Sequence, residues 1–479
     1  MQFNKSFVLL PLLLTVRAIA PAQSLETLVN QPPHGAGLSF LLTDGTVLCQ
    51  GGNYHDWYKL TPDAFGSYVN GTWTQAASLP AGYVPDAFSS AVLADGRVVV
   101  VGGEYNNNNF VLTNKAAIYD PTANTWTALG HPAGWANIGD SPSVVLPNGK
   151  FLIGRKLDTK MAVLNPATLK WTEVGSAGKS DFNAEEGWTL LPDGTVLTAD
   201  VLNAPNSERY TPSTGTWASQ GSTIVDLHSP SESGPINYPG GTYDPPGEIG
   251  PAILRPDGTV FATGAANQGS SHTAVYHPGA TSSAPGTWTV GPDFPNDAAG
   301  DSSAALLTNG NVLVIGNSGK LYEFDGTNLT PEMKPLSAGY LMVLPTGQVI
   351  LTGGRIQTYD SIGTYLPAWA PAVTSYPSTV VRGATYLISG MQFNGLSQAA
   401  AFGDEDQTAT NYPLVRITNT GTGHVFYART HDHSSMGVAT GSAIVSTSFD
   451  VPAGMETGAG TLEVVANGIP SPAVTVTVN

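Results

Sequence analysis

Charge is scarce in this 479-residue chain: 11% of residues are Asp, Glu, Lys or Arg, against about 25% in an average globular protein. Basic residues are scarcer still, 19 Lys and Arg against 36 Asp and Glu, for a formal charge of −17. Such a chain repels polyanions, so nucleic acid and acidic membrane surfaces are excluded as expected partners. There is one cysteine, hence no internal disulfide framework and no cysteine-rich zinc site. Beyond the N-terminus no apolar run approaches the roughly 18 residues that cross a bilayer, and no stable membrane insertion is expected. No amphipathic helical period stands out. A hydrophobic content of 41% is enough for a large core and excludes wholesale disorder. Glycine and proline are abundant, at 55 and 36 residues, and they punctuate short strand-like runs.

Residues 1–22 read as a signal peptide. Lys5 precedes the apolar run Phe7–Val16, and Ala20-Pro21-Ala22 supplies the small residues of a cleavage site. The expected location is secreted or periplasmic.

The chain repeats. One turn recurs seven times, at TDG 43–45, ADG 94–96, PNG 147–149, PDG 192–194, PDG 256–258, TNG 308–310 and PTG 345–347. Asp-Gly and Asn-Gly are residues of two-residue hairpin turns with positive φ. Apolar runs flank each turn, and several end in a glycine pair, as at Gly51-Gly52, Gly102-Gly103 and Gly353-Gly354. A period near 50 with double glycines indicates kelch-type propeller blades. The second half of each repeat carries a Tyr-x-Pro-like turn and then a tryptophan, giving Trp73, Trp126, Trp171, Trp217 and Trp288, all assigned to the repeat core. The seventh repeat lacks its outer strand, and Leu25–Val29 near the mature N-terminus is expected to supply it, closing a ring and removing exposed sheet edges. This predicts an all-β chain: a seven-bladed kelch-type β-propeller over 23–366, then a C-terminal immunoglobulin-like (E-set) β-sandwich over 367–479, joined at the Pro-rich stretch Pro367–Pro371.

In a propeller the residues just before each inner strand, and those after each glycine pair, share one face around the axis. Counting back nine or ten residues from the turn glycines gives Asp86, Asp140, Glu185, Glu248 and Asp301. Five carboxylates at one repeat position need a cation, a cationic or hydroxyl-rich ligand, or raised pKa values. The alternative is that each caps the backbone of its own loop. The loops on that face add Asn53-Tyr54-His55-Asp56, Glu104-Tyr105, Arg155-Lys156 and Trp135. Aromatics among amides and carboxylates suit sugar binding, and Tyr105, Trp135 and His55 join the five acids as candidate ligand-binding residues. His431 and His433 form a His-x-His pair, a weak metal signal. If their hairpin threads the pore, a mixed His/carboxylate site suits Zn, Mn or Fe. Gly403-Asp404-Glu405-Asp406 lacks EF-hand spacing and reads as a solvated surface acid run.

The repeats, the Pro-rich joint and the C-terminal strands together resemble the galactose oxidase and kelch superfamily across essentially the whole mature chain. Stretches such as EEGWTLLPDGTVLT (185–198) and NYPLVRIT (411–418) are similar to those of secreted bacterial kelch-repeat proteins with no assigned activity. The galactose oxidases carry a copper–tyrosyl radical site, and this sequence departs from it. Ala36 stands at the cysteine position, Asp86-Ala87 at the copper-binding tyrosine, Ser337-Ala338 at the Tyr-His pair, and Tyr105 at the stacking tryptophan; only the 430–433 histidines have a counterpart. The lone Cys49 falls in a second strand, where it reads as a small buried hydrophobe. A copper radical cofactor is therefore not expected, and no catalytic residue is assigned.

The leading expectation is an exported propeller that binds a saccharide or other neutral polyol, with or without a divalent metal, in an acidic axial funnel. The alternative is an extracellular metal-assisted or acid/base polysaccharide hydrolase or lyase at the same place. A galactose oxidase-like copper oxidase ranks third.

Overall fold

The computed structural model describes residues 23–230, 234–265, 271–281 and 284–479; the signal peptide expected at residues 1–22 lies outside the described residues. Among the described residues every named element is a strand except one 3-10 turn at Pro367–Trp369, in the Pro-rich joint, where proline restricts φ and removes backbone donors.

Seven antiparallel sheets follow one another along the chain. Their first strands are Ser39–Leu41, Ser89–Val92, Ser143–Val145, Thr189–Leu190, Ala252–Leu254, Ala304–Leu306 and Leu341–Val343. Each pairs with the strand after its glycine turn, and two further strands complete a set of four. All seven turn glycines have φ between 77° and 89°, and each donates its N–H to the carbonyl three residues before it. The turn differs from the expected two-residue type. Gly45 alone carries positive φ in its turn, while Asp44 accepts the Thr46 N–H at 3.0 Å. That is a three-residue loop ending in a glycine bulge, so the Asp contributes a hydrogen bond rather than an unusual φ.

Burial falls along each sheet. In the second sheet Ser89–Val92 and Val98–Val101 are wholly buried, whereas Thr125–Leu129 is half-exposed to exposed. Trp217 and Trp288 are buried; Trp126 and Trp171 are half-buried and pack at the edge of a core cluster. Cys49 is buried in the second strand of the first sheet.

The seventh sheet takes its fourth strand from the N-terminus. Ser24–Thr27 pairs antiparallel with Gln357–Asp360, Ser24 opposite Asp360 and Thr27 opposite Gln357. Leu28 N–H bonds Ile356 O at 3.2 Å, and Val29 N–H bonds Val69 O of the first repeat at 2.9 Å. First strands pack together between the first and second, second and third, fourth and fifth, fifth and sixth, and sixth and seventh sheets, and the seventh packs on the first. The result is propeller-like.

Residues from Ala372 onward form a separate strand system with its own core of Val380, Ile388, Phe393, Val415, Ile417, Phe449 and Leu462. Strand Val425–His431 changes partner midway. Residues 425–428 pair with Leu414–Asn419, and 429–431 pair with Val445–Asp450. This unit docks on the glycine-turn face: Thr430 N–H bonds Thr43 O at 3.1 Å, His433 N–H bonds Ala94 O at 3.0 Å, and Met436 N–H bonds Pro147 O at 3.0 Å.

One segment of this C-terminal part enters the centre of the ring. Ala400–Ala401 pairs with Ala304–Ala305 of the sixth sheet. Gln398 accepts the Leu190 N–H at 2.8 Å, Thr408 donates to Leu341 O at 3.1 Å, and Ser90 donates to Gln407 O at 3.2 Å. Residues 398–408 thus touch the first strands of the second, fourth, sixth and seventh sheets. Small side chains at 399–401 let the backbone approach this closely. The condition set for a metal role of His431 and His433, threading of the pore by their hairpin, is not met: residues 398–408 occupy that place.

Candidate functional site

The acidic centre is built where 398–408 emerges beside the loops that precede the first strands. Its focus is Lys156, which follows the second strand of the third sheet and is fully buried. Its ammonium contacts Asp140 Oδ2, Glu185 Oε1 at 2.5 Å and Glu104 Oε1 at 3.6 Å, and lies 5.1 Å from the centre of the Tyr243 ring. Tyr243 donates its hydroxyl to Glu185 Oε1 at 2.6 Å. Burial disfavours the charge on Lys156, but Asp140 and Glu185 outweigh it and hold its pKa well above the usual lysine value. The cation that five converging carboxylates demand is thus partly supplied by the protein itself.

One lysine does not neutralise the cluster. Asp404, Glu405 and Asp406 are 1, 6 and 2% exposed, so they are not the solvated surface run expected from sequence. The entering segment carries them inward. Asp140, Asp404 and Glu405 each bring a carboxylate oxygen within 4.8 Å of the others. Asp140 Oδ1 and Asp404 Oδ2 are buried with no hydrogen-bond partner. Burial first, and then neighbouring carboxylates, raise these acids: Asp301 to about 6, Asp404 to about 7, Glu248 to about 10, and Asp140 and Glu405 well above the usual range. Glu248 hydrogen-bonds the Asp301 carboxylate.

Asp86 lies one step away. Its partner is the Tyr54 hydroxyl, and it connects to the cluster through Asp406, which accepts a 2.9 Å bond from Tyr340 Oη. Backbone strain marks the same repeat position. Ala87, Glu185 and Asp301 have φ of 50°, 58° and 45°, a region that costs non-glycine residues energy and persists where surroundings enforce it.

An aromatic edge borders the acids. Tyr105 is 36% exposed and meets Phe110 edge-on at 5.7 Å; Phe110 stacks on Tyr243 at 6.1 Å. A cavity of about 500 Å³ opens beside Asp301, lined also by Ser302, Asn317, Ala338, Tyr340 and Phe402. It lies where the seventh repeat has Ala338 in place of a carboxylate.

The structure therefore brings together Asp140, Glu185, Glu248 and Asp301, with Asp86 adjacent. It moves other expected residues elsewhere. Trp135 is 1% exposed and sits in a hydrophobic core, its indole N–H 3.3 Å from Glu173 Oε2, so it offers no platform for a ligand. His55 is exposed on the 53–56 loop, its backbone N–H bonded to Asn53 Oδ1 at 3.2 Å, and no contact joins its ring to the carboxylates among the described residues. His433 lies on the glycine-turn face, stacked on Tyr412, its Nδ1 2.8 Å from Thr447 Oγ1; burial pushes its pKa down to about 3. His431 pairs with Asp432 at 2.7 Å and Asp450 at 3.2 Å. Neither histidine reaches the acidic centre, so a mixed His/carboxylate metal site does not form there. A carboxylate-and-lysine set also does not fit a copper–tyrosyl radical, which needs a cysteine-linked tyrosine and imidazole donors. Sequence reading named Glu104 and Lys156 only as loop residues and missed Tyr243 and Asp404–Asp406. Position after the second strand was the available signal for the first two; for 404–406 there was none nearby.

No family model matches the chain. It is 27% identical over 129 residues to the Kelch-like protein terF of Aspergillus terreus, and spans about a quarter of that relative's length, the match covering 26% of each chain. Among solved structures it is similar to a copper-bound fungal alcohol oxidase of the AA5 family, with 15% identity, a TM-score of 0.51, and coverage of 96% of this chain and 99% of that one. It also matches virginiamycin B lyase of Staphylococcus aureus at 12% identity and a TM-score of 0.47, over 71% of this chain and 100% of that one. With the glycine-turn repeats and the succession of four-stranded sheets, the terF and oxidase likenesses support a kelch-type propeller protein of galactose oxidase-like fold.

Proposed function

We propose that this chain is an exported, seven-bladed kelch propeller over 23–366 with an immunoglobulin-like domain over 367–479, and that it binds a saccharide or other neutral polyol at the acidic centre. The observation that carries this reading is the cavity of about 500 Å³ that the Asp301 carboxyl lines together with Tyr340 and Phe402. Its volume lies within the range of small-ligand sites. Sugar hydroxyls donate and accept, and here ionised acids accept while raised, protonated acids donate. Tyr340 and Phe402 offer faces to the apolar side of a sugar ring. Among the described residues the only cation at the centre, Lys156, is buried and engaged by its own carboxylates, so an anionic sugar meets repulsion and a neutral one is favoured.

A second reading, an acid/base hydrolase or lyase, has one observation in its favour. Glu248, raised to about 10, bonds to Asp301, at about 6, which sets a proton donor beside an ionised base at neutral pH.

The test is titration calorimetry with a panel of neutral oligosaccharides, comparing wild type with Asp301→Asn and Tyr340→Ala. Both substitutions are expected to weaken binding at least tenfold. No neutral saccharide binding, or equal affinity in both variants, overturns the proposal. Accumulation of cleaved product in the wild-type sample selects the second reading.

A further inference from the structure

A second cluster of carboxylates lies in the loops of the fourth sheet, apart from the centre. The adjacent residues Glu185 and Glu186 divide between the two: Glu185 contacts Lys156, while Glu186 contacts Lys179. Asp181, Glu186 and Asp200 each place a carboxylate oxygen within 4.8 Å of the others, and all three are buried. Glu208 is the fourth acid there, linked through Lys179.

The hydrogen-bond inventory leaves one member unsatisfied. Lys179 has three N–H donors. They go to Glu186 Oε1 and Oε2, both at 2.8 Å, and Glu208 Oε2 at 3.1 Å. Asp181 accepts the backbone N–H groups of Phe182, Val201 and Leu202 at 2.8, 2.8 and 2.9 Å. The Ser180 hydroxyl donates to Glu208. Asp200 is 2% exposed, and neither of its oxygens has a partner at hydrogen-bond geometry; the neighbouring Ser180 hydroxyl is committed to Glu208. A buried carboxylate without a donor is costly, and four acids face one ammonium.

From this geometry we propose that Asp181, Glu186 and Asp200 form a calcium-binding site that ties the 179–186 loop to the 200–202 loop. The donors are all oxygen, with no histidine or cysteine in the cluster, which selects a hard cation over zinc or copper. Each of the three carboxylates brings one oxygen to a common point, and water would complete the 6–8 oxygen ligands that calcium takes. Asp200 supplies both oxygens that nothing else engages. A divalent charge also offsets the excess of acids over Lys179.

The site has a built-in reporter. The Trp217 ring centre is 4.5 Å from Lys179 Nζ, near enough for tryptophan to sensitise the luminescence of terbium, a calcium surrogate. The full chain, stripped with EDTA, is titrated with terbium under tryptophan excitation and then with calcium. The expected result is saturable sensitised emission that calcium displaces, together with a calcium-induced rise in melting temperature. Asp200→Asn is expected to weaken terbium binding at least tenfold; Asp404→Asn, at the acidic centre, leaves it unchanged. Absence of sensitised emission in the wild type overturns the proposal without any variant having to fold. Equal emission in Asp200→Asn, or loss in Asp404→Asn alone, overturns it as well, the latter by placing the ion at the centre. Saccharide binding is read separately, so failure here leaves the preceding proposal standing.

Discussion

Replacing Lys156 with methionine removes the one ammonium from the acidic centre while keeping most of the side-chain volume. Asp140 and Glu185 then lose their counter-charge while staying buried. Removing one partner of a buried ion pair costs about 3–5 kcal/mol, because the remaining charge is uncompensated. At roughly 2.1 cal/mol/K per residue over a folded chain of about 450 residues, the unfolding entropy is about 1 kcal/mol/K, so the melting temperature falls by about 3–5 °C. The effect depends on pH. Lys156 remains charged throughout the neutral range in the wild type, its pKa being held well above the usual value. In the variant nothing opposes the rise of the Asp140 carboxyl, which Lys156 otherwise pulls down. The native state then holds protons that the unfolded chain releases, and stability falls as pH rises. Scanning calorimetry is therefore expected to show the full deficit at pH 8 and a smaller one at pH 5. Lys156→Met/Asp140→Asn is expected to lose less than the sum of the single changes. A deficit below about 1 °C at both pH values refutes the reasoning.

Deleting residues 24–29 exposes the edge at Gln357–Asp360 and is expected to cause aggregation, measured by light scattering; a monomeric deletion variant melting like wild type refutes strand-mediated closure. Gly45→Ala suffers twice, from φ of 77° and from a Cβ 2.4 Å from Tyr427 Cγ, whereas Gly258→Ala, with φ of 85° and open space around it, suffers only the first. Calorimetry is expected to show a loss of about 1–2 kcal/mol at Gly258 and a further 1–3 at Gly45; equal losses argue against close docking of the C-terminal unit. Asp404 contributes a fall in stability as pH rises from 3.8 toward 7, since it stays protonated when native, up to about 7, and ionises earlier when unfolded. Asp404→Asn is expected to flatten that fall by roughly 4 kcal/mol at most, read from urea midpoints at pH 4.5 and 7.5; an unchanged slope refutes the burial of an ionisable group there.

The repeat made most of the fold legible. Glycine turns and apolar runs are local signals, and the missing outer strand near Tyr359 pointed to Leu25–Val29 by elimination. Asp140, Glu185, Glu248 and Asp301 were found because they share one phase of the repeat. The rest depends on contacts outside that phase. Asp404–Asp406 belong to no repeat, and their spacing resembles a surface run; only their long-range pairing through Ala400–Ala401 buries them. The His431–His433 pair misled for the converse reason. Alternation put two rings near each other, but nothing local indicates that the hairpin stays on the glycine-turn face. Trp135 lies on a loop of the ligand face, five residues before Asp140, but the backbone turns at Gly139, whose φ is 80°, and the indole goes to the core while the carboxylate goes to the centre.

The pairing of Ser24 with Asp360 joins residues 336 positions apart. At about 5–20 residues per second, a ribosome takes roughly 20 s to a minute to make the partner after the first strand has emerged. The acids at 404–406 arrive later still. Throughout that interval the N-terminal strand has no mate and the centre lacks the segment that fills it. Each completed sheet therefore waits beside an open flank, and assembly cannot finish in the order of translation. A chain of this design needs its first strand and central cavity kept from wrong partners more than it needs help with any single repeat.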